Sequence, residues 1–260
     1  MEPWQYALLA VVGCIGGILN VLAGGGSLLM MPTLVLLGVE GPIANGTSRV
    51  AVVAQNLSAI AGFRNKGFSD FRLSLTLAAC AVPGGVAGAL AGVRLEGAWF
   101  NRVLAAIMIG VMVLMAAEKK NRTKAAADKS DSEAASPNGV PESGRTVAAH
   151  LLMVAIGFYG GFIQAGVGFL LMPVLHKVLG LDLVRTNMHK VFIVAGYMIP
   201  ALIVYAVNDK VLWTLGLVLA VGTALGGWIG SHLAVRKGDP FIRIVLNVTL
   251  AALVVKLLWL

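Results

Sequence analysis

The sequence predicts an all-α, polytopic membrane protein built from two homologous halves arranged as inverted repeats. Three observations carry that expectation: an apolar composition, charge confined to short gaps, and a glycine-rich motif written twice. Of the 260 residues 58% are apolar and only 12% charged, against roughly 25% charged in a soluble globular chain. Eleven of the 32 charged residues fall within 118–145. The others sit mostly between apolar runs whose length suits a hydrocarbon core of ~30 Å.

Taken in order, the first half offers five apolar segments: 4–23, 27–38, 45–63, 73–93 and 100–117. The stretch 118–146 is poor in apolar residues and rich in Ser, Ala, Pro and charge, so it reads as a disordered connector. The second half repeats the plan with 147–164, 168–180, 186–207, 211–233 and 241–260. The domain reading is therefore a first transmembrane repeat, 1–117, a cytoplasmic linker, 118–146, and a second transmembrane repeat, 147–260. About 8–10 membrane segments are expected at ~20 residues per crossing. Two of them are too short to cross: at helical rise 27–38 and 168–180 reach only about 18–20 Å, so they read as broken or re-entrant.

Duplication is visible at a fixed offset of 141 residues: Gly25/Gly166, Leu29/Leu170, Met31/Met172, Pro32/Pro173, Arg49/Lys190, Val50/Val191, Ala54/Ala195, Phe100/Phe241 and Arg102/Arg243. Asn45/Asn187 fits with a slip of one residue, and the ladder Gly84, Gly88, Gly92 answers Gly222, Gly226, Gly230. The ladders read as tight helix packing, where small residues let backbones approach.

Orientation follows from Lys and Arg in short loops. With 118–146 in the cytoplasm of an inner, or plasma, membrane, 14 of these cations fall inside and four outside, and both termini lie outside. The basic loop joins the third and fourth segments in the first half but the fourth and fifth in the second. Opposite threading of the halves is the recurrent plan of secondary transporters.

The formal charge of +8 flanks apolar spans instead of forming a stripe, which argues for anionic lipid and against nucleic acid. Cys14 and Cys80 sit in apolar runs with no disulfide or metal spacing. Neither a metal nor a cofactor is expected. A nucleotide-binding loop of the G-x-x-x-x-G-K-[ST] type is absent, as are the H-E-x-x-H and G-x-S-x-G motifs, so an enzyme is not expected either.

The candidate site rests on four stretches. "NVLAGGGSLLMMP", 20–32, and "FIQAGVGFLLMP", 162–173, each break a helix just before a short apolar run. Freed backbone groups survive in hydrocarbon only inside protein or along a watered cavity, so each glycine cluster reads as the tip of a broken element, with N–H groups suited to an anion. This nominates Asn20, Gly24, Gly25, Gly26 and Ser27, and in the second half Gln164, Gly166 and Gly168. "ANGTSRVAVVAQN", 44–56, and "TNMHKVFIVAGY", 186–197, open the third segment of each half. They add Asn45, Thr47, Ser48, Arg49, Gln55 and Asn56, then Asn187, His189, Lys190 and Tyr197. Cations this far into membrane-length helices mark a substrate or ion path, or else snorkel to the headgroups. His189 has the titration range for proton coupling. The spans carry no evident acidic relay, which points to an anionic substrate.

At these four stretches the sequence resembles the TauE/SafE sulfite-exporter-like family, also called the toluene sulfonate uptake permeases. The resemblance covers the chain outside 118–146. It implies an inner-membrane carrier for sulfite, sulfonates or related organosulfur anions. The second copy lacks the triple glycine and places Lys190 where Arg49 stands. The expected function is thus a secondary transporter of a small sulfur-containing anion working by alternating access. An anion channel on the same broken helices is the alternative. A proton-coupled cycle and a homodimer are left open.

Overall fold

The computed structural model describes residues 2–68, 72–95 and 143–258, with the single positions Arg102, Ala106 and Gly110. Apart from those three positions, the fifth expected segment, 100–117, and nearly all of the expected linker, 118–146, lie outside the described residues.

Among the described residues the chain is all helix. Helix α1 (Pro3–Ala23) starts at a proline in its first turn, where the missing N–H costs nothing. It ends at Gly24, whose φ of 81° closes the last turn with its N–H on the Asn20 carbonyl at 2.9 Å. Helix α2 (Ser27–Leu36) follows after three residues, Gly24, Gly25 and Gly26. At 10 residues it is about 15 Å long, half of a membrane crossing. Helices α3 (Gly41–Asn65) and α4 (Arg72–Val93) complete the first half.

The second half repeats this order. Helix α5 (Ser143–Phe162) ends at a break, and α6 (Val167–Pro173) is again short, loosening past Pro173 into a π-helical turn, Val174–Val178. Helix α7 (Leu183–Val207) follows. Helix α8 (Trp213–Leu258) is divided at Gly238, whose φ of 64° and ψ of −165° are not helical. The two separate segments expected there are thus joined by one sharp break. Among the described residues four helices are long and apolar enough to cross a membrane: Pro3–Ala23, Arg72–Val93, Leu183–Val207 and Trp213–Leu246.

Packing partners exchange when the halves are swapped. Helix α1 lies along α8 as α4 lies along α5, and α3 packs on α8 as α7 packs on α4. Helices α3 and α7 meet each other at the centre. The glycine ladders make the outer pairs close: Gly84 and Gly88 press on the Val154 and Phe158 carbonyls of α5, and Gly222 and Gly226 on the Ala10 and Cys14 carbonyls of α1. Around these contacts one continuous apolar core runs from Leu9 through Met30, Leu77 and Met153 to Leu219.

Candidate functional site

Helices α3 and α7 carry most of the buried polar side chains, with Asn20, Ser27, Ser74, Gln164, Thr223 and Ser231 placed elsewhere. Arg49, Asn45, Thr47 and Gln55 are fully buried, as are Asn187 and Tyr197, while Lys190 is 2% exposed. A polar group at membrane depth must find partners inside the protein, and the two cations find them at helix ends.

Lys190 of α7 reaches the open end of α1. Its Nζ donates to the Asn20 carbonyl at 3.0 Å, the Val21 carbonyl at 2.8 Å and Asn187 Oδ1 at 2.6 Å, and Asn187 Nδ2 donates to the Leu22 carbonyl at 3.4 Å. Arg49 of α3 does the same to α5. Its guanidinium donates to the carbonyls of Gly160 at 3.3 Å, Gly161 at 2.5 Å and Phe162 at 3.4 Å, and to Asn45 Oδ1 at 3.4 Å. Asn45 Nδ2 donates to the Phe162 carbonyl at 2.8 Å. Each cation therefore caps the C-terminus of the broken helix in the other half, where orphan carbonyls and the negative end of the helix dipole favour it.

The tips of the two breaks touch. Gly24 lies against the backbone of Gly168, with no room for a Cβ on either, and the Gly166 N–H donates to Ser27 Oγ at 2.9 Å. Gly26 is pressed on the Gly16 carbonyl and Asn20, and Gly25 accepts from the Leu28 N–H at 3.1 Å. Gln164 holds a left-handed φ of 64°, a conformation costing a non-glycine residue about 1–2 kcal/mol. Such strain collects at functional sites.

Beside this junction lies a small cavity lined by Asn20, Ser27, Asn56, Gln164, Gly168 and Lys190, with Val52, Val167 and Val194. Its volume is about 10 Å³, the room of one water. Asn20 Nδ2 donates to Gln55 Oε1 at 3.0 Å, and Asn56 Nδ2 to its own helix at Val52. Gln164 Oε1, Gln55 Nε2, Arg49 Nε and Tyr197 Oη are buried with no hydrogen-bond partner. Unmet polar atoms this deep are costly, and they gather around the two helix breaks.

Not every nominated residue reaches the cavity. Arg49, Asn45 and Tyr197 form a second cluster at the end of α5. Thr47 Oγ1 accepts the Leu212 N–H at 2.9 Å, and Ser48 bonds the Asn45 carbonyl of its own helix. His189 points away toward α4, with Nδ1 2.6 Å from Ser74 Oγ, and lines a separate cleft. Two tyrosines escaped the sequence reading. Tyr205 lies under the Arg49 guanidinium at 4.2 Å, receives Asn45 Nδ2 at 2.7 Å and donates to Phe162. Tyr159 ties its hydroxyl to the Ala165 carbonyl in the break. Spacing offered one hint: Tyr205 stands eight residues past Tyr197, two turns on along the same helix face.

Broken helices meeting inside a helical membrane protein, with cations held at their ends, define the build of a membrane transporter. The chain belongs to the sulfite exporter TauE/SafE family, whose model matches residues 9–257. It is 25% identical to the probable membrane transporter protein ORF9 of Sinorhizobium, over 97% of this chain and 92% of that protein. It is 25% identical to the probable membrane transporter protein YfcA of Escherichia coli K12, over 100% and 91%. A probable membrane transporter protein of Xylella fastidiosa 9a5c is 29% identical, over 86% and 82%. No solved structure matches.

Proposed function

We propose that this protein is a secondary carrier that moves a small sulfur-containing anion, sulfite or a sulfonate, across the inner membrane by alternating access. One observation carries the reading: two cations are buried in the protein interior without a carboxylate beside them. Among the described residues the acidic side chains, Glu2, Glu40, Asp182, Asp209 and Asp239, all stand at helix ends or at the break in α8. A helix C-terminus supplies only about half a negative charge, while burying an ion costs several kcal/mol. The remaining positive charge is what an anion would complete. The Ser27 hydroxyl and the second amide N–H of Asn20 and of Asn56, beside the charge of Lys190, suit the oxygens of a sulfite or sulfonate group. The family name supports sulfur chemistry.

The two halves act as inverted repeats in this reading, with 118–146 in the cytoplasm and both termini outside. A cavity the size of one water favours a carrier over an open channel. Coupling to protons or to the membrane potential drives the cycle, and flux in proteoliposomes indifferent to both would refute that part. The substrate class is tested by thermal unfolding of the purified protein with sulfite, thiosulfate, sulfoacetate, taurine and sulfate. At about 100 times its Kd a bound anion adds about 2.7 kcal/mol of stability. No upward shift with any of the five would overturn the assignment.

A further inference from the structure

The two helix breaks fill the same backbone position with different residues. The Gly24 N–H closes α1 on the Leu19 carbonyl at 3.2 Å, and the Gln164 N–H closes α5 on the Tyr159 carbonyl at 3.4 Å. Both residues are left-handed, with φ of 81° and 64°. Glycine adopts that conformation freely, whereas a side chain there costs stability. The first break uses the glycine; the second keeps a glutamine.

The break around this glutamine is pinned on both sides. The Tyr159 hydroxyl donates to the Ala165 carbonyl, and the Gly166 N–H donates to Ser27 Oγ. Gln164 is 2% exposed and lines the central cavity. Of the residues that line it, Gln164 alone has a buried side-chain atom, Oε1, with no hydrogen bond. The nearby donors are committed elsewhere. All three N–H groups of the Lys190 ammonium go to the Asn20 and Val21 carbonyls and Asn187 Oδ1. One N–H of Asn20 goes to Gln55 and one of Asn56 to Val52. An acceptor this deep costs free energy until a donor reaches it, so an occupant of the cavity has to bring the proton.

Charge narrows the occupant further. Lys190 is the lining cation, while Arg49 is held in the separate cluster at the end of α5. One negative charge balances Lys190, and a second would be buried unpaired.

We propose that Gln164 sets the specificity of the cavity: its amide oxygen accepts a hydrogen bond from the proton of a singly charged oxyanion, as hydrogensulfite carries. The unprotonated oxygens of that anion face the Ser27 hydroxyl and the second N–H of Asn20 and of Asn56. A site that hydrogen-bonds a substrate O–H rejects the analogue lacking it, because its own polar group is then left unpaired. This rests on the anion-carrier reading above.

The test is titration calorimetry of the purified full-length protein at mildly acidic pH, with two anions of equal charge and similar shape. Methylphosphonate keeps one proton there, and methanesulfonate has none. The parent should bind methylphosphonate about tenfold more tightly or better, the factor expected of one unmet buried acceptor. Gln164→Met removes the amide oxygen at similar length and should bring the two affinities together. Gln164→Gly suits the left-handed backbone and should do the same, so a poorly folded methionine variant leaves the test intact. Equal binding of the two anions by the parent, binding of neither, or a preference that survives both substitutions would overturn the proposal. Equal binding is also what a cavity holding only a water on Gln164 predicts. Sulfite uptake without the preference would sink this inference and leave the carrier reading. A preference that vanishes with Gln164, in a protein stabilised by none of the five sulfur anions, would sink the sulfur reading and leave this one.

Discussion

Lys190 touches three oxygens and no carboxylate, an arrangement poorly suited to stability alone. Replacing a buried ion by an apolar side chain of similar volume is often neutral or better, although it leaves the Asn20 and Val21 carbonyls short of a donor. The two effects oppose each other. Lys190→Met should therefore leave unfolding stability within about 2 kcal/mol of the parent while abolishing anion binding. A melt that collapses together with binding would make Lys190 a structural brace only. Gln164 gives a prediction of opposite sign. Gln164→Gly relieves the left-handed backbone and should raise stability by about 1 kcal/mol, yet it removes the amide from the cavity and should lower flux. Unfolding and uptake measured on one preparation separate the two effects, and a gain in both would deny the side chain a role.

At the scale of elements, the short helices were legible because glycine clusters and prolines fix where a membrane helix must stop. The expected 27–38 and 168–180 meet the observed Ser27–Leu36 and Val167–Val178. What the two cations hold was not legible. Arg49 bonds carbonyls 111 to 113 residues away and Lys190 carbonyls 169 to 170 away, and no local pattern announces a partner that is plain backbone. The same blindness hid Tyr205, and it left His189 among the cavity candidates although its ring turns to Ser74. The ladders were readable as packing, and they carry their own prediction. Gly88→Ala presses a methyl into the Phe158 carbonyl and Gly222→Ala into that of Ala10, so each should cost about 1–3 kcal/mol, seen as a lower melting temperature. Unchanged melting for both would contradict the close approach of these helix pairs.

Across the whole molecule the two caps cross from one half to the other, so each half holds the broken helix of its partner. A carrier that rocks one half against the other must keep or exchange these bonds at each stroke, which places the cations where substrate charge could bias the motion. The topology behind this makes a separate prediction. A protease site placed within 118–146 should be cut only from the cytoplasmic side, and cutting from outside would reverse the orientation. The most direct test of the central claim is uptake of labelled sulfite into proteoliposomes holding matched amounts of folded parent and Lys190→Met. The account predicts saturable uptake by the parent and none above empty vesicles by the variant. Equal uptake by the two would contradict it.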